Sequence, residues 1–234
     1  MFFLLISSAF AQVAEEQDTV VREKPKKPDS LKEKFYPRSV RIGTDILSLI
    51  RTPLSKSFSG WEVNGDVDFG KIYFTLDIGQ WSRYSKLDSG HLGVYQNNGT
   101  YWRVGADINL LKKDPDRNMF FFGLRYGQSS FRESAYVIVT STNFGSSATN
   151  LENPSVKASW GELTTGLRVK VLKEFWMGFT CRMKFAVNTS GDLQLKAFDI
   201  PGYGLNGEDV AWGFNYQIFY RIPFAKQKKP VVAK

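Results

Sequence analysis

Fourteen ionisable side chains fall on one parity of a two-residue rhythm, and their types bound the chemistry open to this chain. Seven are acids, Asp45, Glu62, Asp66, Asp68, Asp77, Asp107 and Glu162, and seven are bases, Arg41, Arg103, Arg125, Arg168, Arg182, Lys184 and Arg221. Carboxylates alone would suggest a cation site. An equal set of bases makes a network of internal ion pairs the expected use instead. Conventional catalytic equipment is thin, with one histidine, His91, near Asp88 and Ser89. A base and a nucleophile need rigid elements to hold them at hydrogen-bond distance, whereas these three share a loop. A lipid-modifying enzyme working through His91 therefore ranks below a chain with no catalytic residue. No CxxC, HExxH, phosphate-cradling glycine loop or EF-hand spacing is present, so neither metal nor cofactor is expected.

The elements that must place these groups are strands. In Trp61–Phe69, the residues Trp61, Val63, Val67 and Phe69 alternate with Glu62, Asn64, Asp66 and Asp68, which puts an apolar and a polar face on one strand. The same rhythm predicts eight strands: Ser39–Ile50, Phe58–Phe69, Ile72–Tyr84, Gly99–Leu111, Met119–Ser130, Val156–Val171, Phe175–Asn188 and Val210–Ile222. The connections between them hold 7, 2, 14, 7, 25, 3 and 21 residues, so long and short alternate strictly. That pattern predicts an all-β fold, an eight-stranded antiparallel up-and-down transmembrane β-barrel. Gly70-Lys71, Lys112–Asn118 and Leu172–Glu174 would be its short periplasmic turns, and the longer connections its extracellular loops.

Composition does not contradict a barrel. Mean hydropathy is −0.28 and no stretch approaches the ~20 apolar residues of a membrane helix. A membrane barrel passes that test because every second strand residue is polar. A secreted soluble ligand carrier would bury the apolar parity, and a membrane barrel buries the charged one. Glycines favour the second. Gly43, Gly79, Gly105, Gly123, Gly127, Gly166, Gly178 and Gly213 share the charged parity, where they make room in a lumen that eight strands leave narrow. Trp160 and Trp176 lie on that parity too and are expected to plug the lumen ends, which leaves no room for a diffusive channel.

Four segments are expected along the chain. Residues 1–11 read as a signal peptide, with Phe2–Phe10 as its apolar region and cleavage between Ala11 and Gln12. Residues 12–38 form a charged periplasmic linker, 39–224 the barrel, and 225–234 a basic periplasmic tail. The net charge of +8 is gathered partly in the linker and tail, where it would attract acidic lipid or an acidic partner. Nucleic acid is not an expected partner. The single cysteine, Cys181, sits mid-strand on the apolar parity with no second thiol to pair with.

Two resemblances add to this reading. Ala211–Ile218 is similar to the recognition signal of the barrel-assembly machinery, with Gly213 followed by Tyr216 and Ile218 at the required spacing. The mature chain resembles a family of uncharacterised outer-membrane barrels from Bacteroidota, through Tyr101–Gly127, Leu111–Asn118, the Phe120–Gly123 run and Trp160–Val171. The resemblance implies a small barrel in the bacterial outer membrane and no activity. Asp18-Thr19-Val20 and Asp29-Ser30-Leu31 resemble O-glycosylation sites of that phylum. The expected role is a non-catalytic, structural or interaction one in the cell envelope, with outer-membrane lipid and the assembly machinery as partners. The alternative is an accessory subunit of an outer-membrane secretion or assembly complex, which adds an envelope-complex protein as partner.

Overall fold

The computed structural model describes residues 36–87, 92–111, 114, 116–141, 145–191, 196–207 and 209–224. The expected signal peptide with Ala11 and Gln12, most of the linker, the loop residues Asp88, Ser89 and His91, and the tail 225–234 lie outside the described residues. In chain order the elements are β1 (Ser39–Asp45), α1 (Ile46–Leu54), β2 (Phe58–Asp68), β3 (Ile72–Leu87), β4 (Leu92–Asn109) and β5 (Met119–Ser141). They continue as β6 (Gly145–Leu172), β7 (Phe175–Gly191), β8 (Asp199–Ile200), β9 (Gly204–Leu205) and β10 (Val210–Pro223). Eight strands close into a ring in the order β1-β10-β7-β6-β5-β4-β3-β2, and β8 with β9 forms a separate hairpin. Every neighbouring pair in the ring is antiparallel, so the architecture is an up-and-down barrel.

Period-two alternation sets which side chain meets which medium. Along β2 each second residue from Gly60 to Asp68 is buried, and Trp61 and Val63 face outward. The outward set around the ring is apolar: Phe74, Leu76 and Ile78 on β3, Val104 and Ile108 on β4, Phe122 and Leu124 on β5, and Phe175 and Met177 on β7. A water-facing barrel would not surround itself with so continuous an apolar band. Ring pairs mark its turn end, with Phe175 against Tyr220 at 5.2 Å and Phe120 against Phe122 at 5.6 Å. The lumen-facing glycines stand where large neighbours lie across them. A Cβ on Gly127 would sit 2.6 Å from Cζ2 of Trp160, and one on Gly105 would sit 2.6 Å from Cγ of Arg125.

The short connections are hairpin turns. Gly70 takes φ +96°, a conformation that costs other residues strain, and Phe69 N donates to Ile72 O at 2.9 Å to close the first of them.

Three expectations change. The first strand ends at Asp45 instead of Ile50. Its continuation is α1, whose first turn Asp45 caps by accepting from Ser48 N at 3.2 Å. The reason is visible in the spacing, since Ile46, Leu49, Ile50 and Leu54 recur at helical intervals. The second change concerns Ser85–Asn98 and Phe131–Ser155, expected as loops, most of which are strand. β5 runs to 23 residues and β6 to 28, far beyond the ~9–11 that cross a membrane. Tyr136-Val137-Ile138-Val139-Thr140 belongs to that extension. Third, Thr189–Asp209 does not simply project. Thr189–Gly191 extend β7, and residues 196–207 turn back around the β8–β9 hairpin, burying Ala197, Ile200 and Tyr203 against Tyr101, Phe131 and Trp160.

Candidate functional site

The lumen holds one continuous chain of alternating charge. Arg41 Nε donates to Asp66 at 2.8 Å, and Arg168 reaches the same carboxylate at 2.8 Å. Arg168 also reaches Asp107 at 3.2 Å, which Arg125 meets at 2.9 Å. Arg125 continues to Asp77 at 2.6 Å, and Asp77 takes Arg182 at 3.2 Å and Arg103 at 3.4 Å. Arg182 and Arg103 then bracket Glu162, at 3.2 Å and 3.9 Å, and both lie beside Glu62. Five guanidinium groups thus face five carboxylates, all buried, on strands that only ring closure brings together. Rings back several of them: Arg41 lies 4.7 Å over Tyr73, and Arg168 lies 4.8 Å over Phe121 and 4.9 Å over Phe219. Guanidinium suits this use, because its planar fork serves two carboxylates at once.

Four of the fourteen side chains stand apart from that chain. Asp45 makes no ion pair among the described residues; it caps α1 and accepts from Tyr216 N at 3.1 Å. Asp68 lies at the turn end, where Arg117 approaches it at 3.3 Å. Arg221 pairs with Glu174 at 3.6 Å at that end and donates to Ser39 Oγ at 3.1 Å. Lys184 is spent on backbone, donating to the carbonyls of Gly202 at 2.9 Å and Tyr203 at 2.8 Å. The alternation that placed these groups inside could not say that a helix cap and a loop would claim two of them.

Lys184 therefore fastens the β8–β9 hairpin into the barrel mouth. The far side of the hairpin is held by residues that sequence reasoning missed. Arg83 Nη1 lies 3.1 Å from Asp199, Asp199 N donates to Tyr95 Oη at 3.2 Å, and that hydroxyl donates to Glu133 at 2.7 Å. Asn97 adds a short bond to the Asp199 carbonyl, and Asn153 donates to Glu133 at 2.7 Å. Pro201-Gly202, with Gly202 at φ +81°, signals a turn in the sequence but not that the turn points inward. Trp160 closes the lumen from this side, its Nε1 donating to Glu162 at 2.7 Å, and Trp176 lies buried toward the turn end, 5.4 Å from Arg41.

Burial pushes the Asp199 carboxyl above its ordinary value, against the pull of Arg83. A raised value in the folded state means that this group favours docking fully below the unfolded carboxylate value near ~4, and that the contribution fades as pH rises through the raised value. Hydrogen exchange over Ile200–Leu205, corrected for intrinsic rate, is expected to show stronger protection at acid than at neutral pH. Asp199→Asn is expected to flatten that difference. An unchanged pH dependence in the variant would assign it elsewhere.

The three residues of the assembly signal sit on β10, Gly213 toward the lumen and Tyr216 and Ile218 outward. Among the described residues no group of three or more His, Cys, Asp or Glu side chains is arranged to hold a metal. No described helix is long and apolar enough to cross a membrane, which has no bearing on strands.

Fold and lumen together define a closed eight-stranded barrel whose interior is filled with paired charge. The chain belongs to the family described as domain of unknown function DUF6048, whose pattern matches residues 1–227. No curated protein matches it. Among solved structures it is similar to CarO of Acinetobacter baumannii, with 10% identity and a TM-score of 0.40 over 81% of this chain and 98% of that one. Ail, the attachment invasion locus protein of Yersinia pestis, gives 10% identity and a TM-score of 0.37 over 80% and 98%. Neisserial surface protein A gives 10% and 0.31 over 80% and 96%.

Proposed function

We propose that this chain is a non-catalytic outer-membrane β-barrel with a structural or interaction role in the cell envelope. One observation carries the reading: polarity across the barrel wall is inverted relative to a water-soluble protein. Ten charged groups form a buried network inside, while Phe74, Leu76, Ile78, Phe122 and Leu124 stand exposed outside. In water that arrangement would give up apolar burial and desolvate ions without return. Against hydrocarbon it is the favourable one, since closure satisfies every strand edge that pairs and the apolar face meets acyl chains.

A ligand carrier needs an open cavity within its barrel, and this lumen is occupied by Arg and Trp side chains below a docked hairpin. The outward face of β10 around Tyr216 and Ile218 supports the barrel-assembly machinery as a partner during insertion, with lipid as the permanent one. Fractionation followed by gel electrophoresis before and after boiling tests the reading. The protein is expected in the outer-membrane fraction, with a mobility that changes on boiling. A soluble periplasmic protein with no such change would replace the membrane barrel by a secreted one.

A further inference from the structure

Beyond the apolar band, the outward face of the barrel carries a hollow. From each of β3, β4, β5 and β6 it takes two outward residues and the inward residue between them. The inward ones are Arg83, Asn97, Glu133 and Asn153, whose backbone forms the floor. Ser82, Asn98, Arg132 and Pro154 make the wall nearer the membrane, and Tyr84, Gln96, Ser134 and Glu152 the wall further out. The hollow is therefore a groove across four strands. It encloses about 570 Å³, within the ~300–1,000 Å³ of small-molecule sites. A β-bulge lies in it. Phe131 pairs with Val156 and Glu133 with Asn153, so Pro154 and Ser155 together oppose Arg132. A bulge bends its strand and sharpens the local twist, which hollows an otherwise flat face.

The floor is held from the lumen side. Arg83 lies 3.1 Å from Asp199, and its backbone N donates to Asn97 Oδ1 at 2.9 Å. Asn153 Nδ2 and Tyr95 Oη both donate to Glu133 at 2.7 Å. On the outer side Gln96 Nε2 donates to Ser134 Oγ at 3.1 Å, which sets part of one wall. A groove fixed before its occupant arrives loses little freedom on binding. Its height follows from the strand lengths. Counted from the turn end, Ser82 is residue 11 of β3, Asn98 residue 12 of β4, Arg132 residue 14 of β5 and Pro154 residue 19 of β6. With ~9–11 residues in the hydrocarbon, the groove starts at the membrane surface on β3 and climbs away from it toward β6, as strand tilt requires. Trp102 and Tyr126, 5.8 Å apart on the outward face below it, suit the interface.

We propose that this groove binds the uncharged sugar chain of a glycolipid seated in the outer leaflet; the proposal rests on the membrane reading above. A chain anchored among acyl tails and leading outward follows the course of the groove. Ser82, Gln96, Asn98 and Ser134 line it with amides and hydroxyls that both donate and accept, as a row of sugar hydroxyls requires. The two bases of the lining, Arg83 and Arg132, are matched by Glu133 and Glu152, so the groove carries no net charge to select an anion. Tyr84, 42% exposed at the membrane end, offers a ring to the C–H face of a sugar.

The test uses digalactosyldiacylglycerol with a diazirine on its terminal sugar, in phosphatidylethanolamine vesicles that hold the full-length folded protein. After photolysis, adducts are mapped by peptide mass spectrometry. Tyr84, Gln96 or Arg132 is expected to carry label well above Lys157, an exposed residue of β6 outside the groove. Asn98→Leu keeps the side-chain size and removes the amide, and is expected to lower groove label by about two- to tenfold, the worth of one hydrogen bond. Arg132→Leu, at an exposed position, is a second variant with the same expected loss. Label on Lys157 equal to that in the groove overturns the site, and unchanged groove label in both variants overturns recognition by these side chains. Equal groove label from digalactose carrying the diazirine without its lipid removes the leaflet as source. Equal label from phosphatidylethanolamine with the diazirine on its headgroup removes the sugar. Failure of the membrane reading itself would show separately, as missing label on Phe74 and Leu124 from an acyl-chain diazirine.

Discussion

Replacing Asp77 by leucine is expected to destabilise the folded barrel by about 3–5 kcal/mol, the cost of leaving buried charge without its partner. Asp77 is 2% exposed and is the meeting point of three guanidinium groups, Arg125 at 2.6 Å, Arg182 at 3.2 Å and Arg103 at 3.4 Å, with Asn64 Nδ2 at 2.7 Å. Glu162 can still offset the charge of Arg182 and Arg103, and Asp107 that of Arg125, but no group stands in for all three roles. Urea unfolding from lipid vesicles, followed by tryptophan fluorescence, measures the loss. The comparison is Lys170→Met, which breaks the exposed 3.6 Å pair with Asp116 and is expected to change stability by no more than about 0.5 kcal/mol. A loss below about 1 kcal/mol for Asp77→Leu would mean that water reaches the network and that the lumen is not the dry, paired interior described above.

The second large effect lies on the opposite face. Leu124 is 61% exposed on β5 and stands about halfway along its first eleven residues, the length that crosses a bilayer. Leu124→Arg is expected to cost about 2–4 kcal/mol in vesicles, as a cation held at mid-depth against hydrocarbon does. Tyr136, 45% exposed on the same strand, lies 12 residues further on and beyond the membrane, so Tyr136→Arg is expected to stay within about 0.5 kcal/mol. The contrast between two outward positions of one strand isolates the medium from the fold. Equal, small effects at both would place water on the Leu124 face and remove the membrane reading.

Much of the fold is legible because alternation is a local property. Which residues of Trp61–Phe69 share a face follows from chain geometry alone, whatever the partner strand; the balanced charges and the glycines on one parity indicate which face turns inward. The short turns are legible for the same reason, since Gly70-Lys71 and Lys173-Glu174 interrupt runs of alternating residues. Strand ends are harder to read. Beyond Ser130 the outward face turns polar through Arg132 and Ser134, although Tyr136-Val137-Ile138-Val139 still favours strand. The lost alternation hides where the strand ends, and the ladder continues through that run to Ser141. α1 is masked at its start, because Ile46 continues the outward apolar parity of Val40 and Ile42; past it the rhythm fails, with Ser48 on the outward parity and Leu47 and Leu49 on the inward one.

By itself the sequence determined the number of barrel strands, which residues share a side of the wall and the gathering of opposite charges on one side, because alternation of side chains in a strand depends on nothing beyond its neighbours in the chain. The tertiary structure decided the rest. Asp77 meets Arg182 across 105 residues of sequence, and Lys184 finds the Gly202 and Tyr203 carbonyls because a hairpin turns inward. Val210–Tyr216 of β10 pair with β7 alone because the chain leaves β1 at Asp45 for α1. Each of these depends on register and on closure of the ring, which are set by pairing between strands distant in the chain and so leave no local pattern to read.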